Sequence, residues 1–205
     1  MRRAGPPVWA RRGRARWRAL TGPARLTALF LAGLASAFAH APFFVQPLFI
    51  AGLVVLVLAL DDARRAPRPL RAGFARAWAF AAGLFLAGLW WVANAFLVDG
   101  DTYAWLVWAP VTLLPGGLAL FWGAAGAVYV RFAPRGPARI GVFAAVFLAA
   151  EMVRATVLSG FPWNLPGHVF EGGGAISQLA ALVGASGLSA LTLYAFAAPA
   201  ALIGP

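Results

Sequence analysis

The sequence contains no cysteine and no lysine, and only six of its 205 residues are acidic. The missing cysteine excludes disulfides, thiolate metal sites and a cysteine nucleophile within this chain, and it leaves the redox compartment undefined. No Gly-Lys-Ser phosphate loop, Ser-centred elbow or His-Glu metal motif is present. Charge is scarce as well. Charged residues make up 11% of the chain and apolar residues 62%, with a mean hydropathy of +0.79. A soluble domain holds roughly 45–50% apolar and about 25% charged residues. The solvent of most of this chain is therefore lipid, and its backbone must close its hydrogen bonds internally. Long apolar runs without two-residue alternation select helices over a barrel. The fold class expected is an all-α membrane protein.

What charge there is falls in blocks. All seventeen basic residues are arginine, giving a net charge of +11. Eight lie in Met1 to Arg25, five between Arg64 and Arg76, and three at Arg131, Arg135 and Arg139. Nucleic acid is not an expected partner, because such a face gathers its basic residues on one folded surface. Blocks between apolar runs are orientation signals for membrane insertion. Residues 1–25 read as a basic, disordered cytoplasmic tail, and residues 26–205 as one multi-helix membrane domain. The apolar runs are Leu26 to Ala39, Phe43 to Leu60, Phe74 to Val98, Tyr103 to Val130 (broken by Pro110 and Pro115), Ile140 to Leu158 and Ala175 to Ile203. These give about six transmembrane helices. The positive-inside rule puts the three basic blocks and both chain ends in the cytoplasm, and puts the Asp99-Gly-Asp101 loop and the loop after Leu158 outside. A competing reading takes the tail, the short first run and Ala37-Phe38-Ala39 as a secretory leader with an A-x-A cleavage site.

Chemistry concentrates near residue 160. Glu151 and Arg154 stand three apart on the fifth helix and can pair on one face, as charges within a span must to lower their cost. Arg154 is also within reach of the outer interface by snorkelling. Gly160-Phe161-Pro162-Trp163 then ends the helix: Pro162 lacks the amide donor and disfavours helix at Phe161, and Gly160 suits a helix C-terminus. Trp163 can bury its ring at the boundary and keep its N–H wet, which taken alone fits an interfacial anchor. Asn164, Pro166, His168 and Gly172-Gly173-Gly174 make this the most polar and irregular loop. His40 and His168 lack the neighbours for a metal site. Gly83, Gly88, Gly116, Gly117, Gly123 and Gly126 are expected to allow close helix contacts. As a transporter or channel, the chain offers only Glu151, Arg154 and Asn94 to line a path; a non-catalytic membrane scaffold is a third alternative.

Glu151-x-x-Arg154 followed by Ser159-Gly-Phe-Pro-Trp163 resembles the bacterial apolipoprotein N-acyltransferase family. Ala37-Phe38-Ala39-His40-Ala41-Pro42-Phe43, Gly83-Leu-Phe-Leu-Ala-Gly88-Leu-Trp-Trp91-Val and Gln178-Leu-Ala-x-x-Val-Gly184-x-x-Gly187-Leu resemble further stretches of that family, in order. The resemblance implies a bacterial inner-membrane, multi-pass protein whose partners are a membrane phospholipid as acyl donor and a diacylated lipoprotein as acceptor, with no cofactor. It implies acyl transfer through a thioester on a cysteine, carried out by a Glu–Lys–Cys set in an outward nitrilase-like domain that follows a seventh helix. Neither the Cys nor the Lys can be assigned here, so the expectation is no catalytic residue, no activity alone, and a fragment or a half with a separately encoded catalytic partner. Gly160, Phe161, Pro162 and Trp163 carry over as a motif on the membrane side of the active site, with Arg154 and Glu151 beside it.

Overall fold

Proline marks the starts of three helices in the computed structural model, which describes residues 19–98, 104–157 and 160–203 and the isolated positions 13, 15, 17 and 102. Helix α1 spans Gly22–Ser36, with Pro23 in its first turn and Thr21 as N-cap, accepting from the Ala24 amide at 3.4 Å. Helix α2 spans Gln46–Ala63 and α3 Pro69–Gly88, opened by Pro47 and Pro69. A first-turn proline gives up an amide that has no helical partner anyway. A short α4, Asn94–Leu97, precedes α5, Trp108–Phe132; α6 spans Arg139–Arg154, α7 Ala180–Ala197 and α8 Ala200–Ile203. No strand occurs among the described residues. Most of the basic tail, the Asp99-Gly-Asp101 loop, Tyr103, Leu158 and Ser159 lie outside the described residues.

Among the described residues five helical segments are long and apolar enough to cross a membrane: Gly22–Ala39, Gln46–Ala63, Pro69–Gly88, Ala104–Phe132 and Ser177–Ile203. Two boundaries differ from the sequence expectation. The third run stops being one helix at Gly88 and continues as a 3-10 turn, Trp90–Ala93, and then α4. Pro115, expected to break the fourth run, lies inside a continuous α5; a membrane helix tolerates the lost amide when its neighbours hold it in place. In the last run Gly184 has φ +70 and ψ 173, so the helix bends there, leaving Leu179, Leu182 and Val183 exposed before the bend.

Helix α3 is central, packing on α1 and α5 and more lightly on α2, while α6 bridges α5 and α7. The α1–α3 crossing brings backbone to backbone. A Cβ on Gly33 would lie 1.8 Å from the Phe80 carbonyl oxygen, and one on Gly83 2.0 Å from that of Phe30. Gly73 and Gly126 meet in the same way at the α3–α5 crossing. Small residues let the dispersion contacts form that drive association in lipid. Of the glycines expected to serve this purpose, Gly83, Gly123 and Gly126 do so, whereas Gly88 makes room for the Asn164 side chain of the loop after α6. Gly117 faces open space, and Gly116 has only ordinary contact with Trp78. Trp122 anchors the core, stacked on Phe80 and edge-on to Phe85 and Phe147.

The bundle has two chemically distinct ends. At one, Asp61 accepts from the Tyr129 hydroxyl at 2.8 Å and the Arg139 Nε at 2.9 Å, and Arg139 donates onward to the Ala200 carbonyl. Beside it Arg76 donates to Asp62 at 3.1 Å and to the Ala59 carbonyl, with Arg25 3.9 Å from Asp62. The start of α1, both arginine-bearing connections and the start of α8 therefore share this end. At the other end Trp91 packs edge-on against Trp163, and Gly88 lies under Asn164. Helix α6 runs from the first end to the second, carrying Arg139 at its start and Arg154 at its finish.

Candidate functional site

The last turn of α6 points two charges inward. Glu151 is 2% exposed and Arg154 1%, among the most buried residues of the protein. Burial of such groups requires pairing and filled hydrogen-bond positions. Both conditions are met. Arg154 Nε donates to Glu151 Oε2 at 3.0 Å, its Nη2 donates to the same oxygen, and the Trp122 indole N–H donates to Oε1. The guanidinium also lies 5.0 Å above the Phe85 ring, a cation–π arrangement. Arg154 turns into the bundle and does not snorkel toward the interface, because its partners are inside.

What remains of the guanidinium holds the turn. Arg154 Nη1 donates to the Phe161 carbonyl and Nη2 to the Trp163 carbonyl at 3.0 Å, while the Phe161 amide donates back to the Arg154 carbonyl at 3.2 Å. Gly160 has φ +78, and a Cβ there would meet the Ala155 carbonyl oxygen at 2.0 Å. Glycine is needed on both counts. The sequence-predicted set Glu151, Arg154, Gly160, Phe161, Pro162 and Trp163 is thus brought together as one unit. Glu151 fixes Arg154, Arg154 fixes two carbonyls, and Pro162 and Trp163 are left exposed at the surface. Trp163 is 51% exposed, with its ring 5.3 Å from Trp91 and 6.4 Å from Phe161.

The loop after the turn is tied down by side chains that the sequence did not single out for this purpose. His40 Nε2 lies 3.3 Å from the Leu165 carbonyl, Gln46 Nε2 donates to the Val169 carbonyl at 3.1 Å, and Ser189 Oγ accepts from the Gly167 amide at 3.0 Å. Buried irregular backbone needs such partners. His40 sits between α1 and α2, and its burial pushes the imidazole down from the ordinary 6.5 to about 4. Its Nδ1 and the Asn164 Nδ2 are buried without a hydrogen-bond partner, and Asn164 adopts φ +53. His168 is exposed nearby. Among the described residues no group of three or more His, Asp or Glu side chains is placed to hold a metal ion. Asn94 is exposed whereas Glu151 and Arg154 face each other inside, so the three do not line a common path.

The fold and site define a helical membrane domain whose Trp-bearing end turn is clamped by a buried Glu–Arg pair. The chain belongs to the apolipoprotein N-acyltransferase family: residues 32–198 match the family model for the apolipoprotein N-acyltransferase N-terminal domain. It is 49% identical over 189 residues to the apolipoprotein N-acyltransferase of Caulobacter vibrioides, covering 91% of this chain and 34% of that protein. It is 39% identical over 193 residues to that of Brucella melitensis, covering 90% and 36%. With that of Rhizobium leguminosarum bv. trifolii it is 38% identical over 175 residues, covering 82% and 33%. The chain thus spans about a third of the length of the curated relatives it matches.

Proposed function

We propose that this chain forms the membrane platform of an apolipoprotein N-acyltransferase and supplies the lipid-side wall of its active site, not the nucleophile. In this reading all six long helices α1, α2, α3, α5, α6 and α7 cross the bacterial inner membrane. The arginine end is cytoplasmic and the Gly160–Trp163 turn faces outward. The observation that carries the reading is the Arg154 clamp. A buried guanidinium spends two donors on the carbonyls of Phe161 and Trp163, which presents the exposed Trp163 ring beside Trp91 at a fixed place on the rim. Preorganised aromatic edges at the interface suit an acyl chain entering sideways from a phospholipid. The diacylated lipoprotein acceptor, and a Cys- and Lys-bearing catalytic partner, complete the reaction.

The test is lipoprotein N-acylation in cells depleted of their own enzyme. This polypeptide alone is expected to give no N-acylated product, because it contains neither residue of the thioester chemistry. Supplied with the remaining two-thirds of a relative such as the Caulobacter vibrioides protein, it is expected to restore N-acylation, and Trp163→Ala is expected to lower the restored rate roughly tenfold, the loss that goes with about 1.4 kcal/mol. N-acylation by the polypeptide alone, or full activity with Trp163→Ala, would sink the reading.

A further inference from the structure

The arginine end holds a cavity of about 480 Å³ that the acyl-transfer reading does not use. Arg64 and Arg65 line it from the connection after α2, Arg131 from the last turn of α5 and Arg135 from the connection that follows, with Leu70 and Val130 as apolar wall. Its inner surface is the Asp61–Arg139 ion pair, already neutral and further satisfied by Tyr129. The four outer arginines have no carboxylate partner among the described residues. Asp61 is committed to Arg139, Asp62 pairs with Arg76, and Glu151 pairs with Arg154 at the far end of α6. Arg64 donates to the Pro134 carbonyl at 3.4 Å, and Arg131 lies 5.1 Å over the Phe132 ring. Arg65, Arg131 and Arg135 are exposed and have no carboxylate partner among the described residues. Two segments far apart in sequence thus converge four guanidinium groups on one concavity, and among the described residues no carboxylate pairs with them.

We infer that this cavity binds the headgroup phosphate of an anionic phospholipid, at the opposite end of the bundle from the Trp163 rim. Guanidinium groups match phosphate oxygens in paired hydrogen bonds, and basic pockets between membrane helices recognise anionic headgroups in this manner. The apolar neighbours favour a lipid over a soluble anion. Leu70 is 50% exposed and Phe132 65%, and Val128 is exposed one turn before Phe132, so the surface beside the arginines suits an acyl chain. Helix α6 is 16 residues long, about 24 Å, which separates this site from the acyl-donor rim. A lipid held here braces the Arg139 end of the same helix whose other end clamps the turn.

The inference rests on the chain being a membrane domain, but not on its part in acyl transfer, and the two can fail separately. The full 205-residue chain, purified in neutral detergent, is mixed with phosphatidylglycerol, phosphatidylcholine or inorganic phosphate. Lipid retention is read by native mass spectrometry and stability by thermal denaturation. Phosphatidylglycerol is expected to be retained and to raise the melting temperature, whereas phosphatidylcholine and phosphate at equal concentration are not. Arg65→Gln with Arg135→Gln is expected to lower phosphatidylglycerol retention about fivefold for each arginine removed. Arg68→Gln with Arg71→Gln removes the same charge from exposed positions outside the cavity and is expected to leave retention unchanged. Equal retention of phosphatidylcholine, an equal effect of phosphate alone, or an equal loss with Arg68→Gln and Arg71→Gln would overturn the site.

Discussion

Arg154 serves two masters, and substitutions separate them. Removing the charge of Glu151 with Glu151→Gln keeps the shape and an acceptor for the Trp122 indole, but leaves Arg154 buried without its counter-ion. The expected cost is about 3 kcal/mol. Arg154→Met costs more, because it strands Glu151 and also frees the carbonyls of Phe161 and Trp163. The double variant is expected to cost less than the sum of the singles by about 1–3 kcal/mol, measured by thermal denaturation in detergent; additive losses would refute the pairing as the source of stability. His40 makes a prediction with a sign. Its pKa is about 4 in the fold and 6.5 when unfolded, so the unfolded chain binds the proton more readily. The contribution is fully present above pH 6.5 and is lost as pH falls toward 4, by up to about 3 kcal/mol. His40→Gln is expected to flatten the pH dependence of the melting temperature in that window, and an unchanged slope would refute it.

At the scale of elements, close crossings carry the packing, and glycines at similar sequence positions are not equivalent. A Cβ at Gly126 would lie 2.5 Å from the Ala77 Cβ and 2.6 Å from the Gly73 carbonyl oxygen, whereas one at Gly117 meets nothing within 4 Å. Gly126→Ala is expected to destabilise by about 1–3 kcal/mol through overpacking of α3 on α5. Gly117→Ala is expected to be neutral or to stabilise by up to about 1 kcal/mol, because alanine loses less backbone entropy in a helix. Thermal melts of the two variants decide the point. The sequence could place glycines on helices but not choose between these two, since the choice depends on which face a neighbouring helix covers. Helix existence, the order of the runs and the Glu151–Trp163 cluster were legible, because apolar length, proline and three-residue spacing are local signals. The partners of Asp61 were not. Asp61 and Asp62 stand just past the apolar run Phe43 to Leu60, yet Asp61 directly follows the buried positions Leu53, Leu56, Val57 and Leu60, and its partner Arg139 is 78 residues away. Arg76 likewise falls three residues after Gly73 and four before Phe80 on the inner stripe of α3. Extending the buried stripe past the first charge would have placed both side chains inside.

For the whole molecule the six-span reading turns on α6. Its 16 residues reach about 24 Å, short of a ~30 Å hydrocarbon core, and it carries Arg139, Glu151 and Arg154, which hydropathy penalises. Each of those charges is buried and paired against the bundle, so the lipid does not meet them and their cost at insertion is offset within the protein. The contacts at its two ends argue the rest. Arg139 bonds Asp61 at the arginine end, and Arg154 bonds the turn that packs on Trp91 at the other. In the proposed six-span reading, a helix that starts at one end and finishes at the other crosses with its neighbours, thinning the bilayer locally or relying on flanking residues. The chain has no native cysteine, so single cysteines report sidedness without background. Pro67→Cys and Ala138→Cys, both at exposed positions of the arginine end, are expected to resist a membrane-impermeant maleimide in intact spheroplasts and to react after permeabilisation. Gly172→Cys, where an added side chain meets nothing within 4 Å, is expected to react without permeabilisation. If Ala138→Cys and Gly172→Cys behave alike, α6 does not cross, and the arginine cavity and the Trp163 rim cannot lie on opposite faces of the membrane.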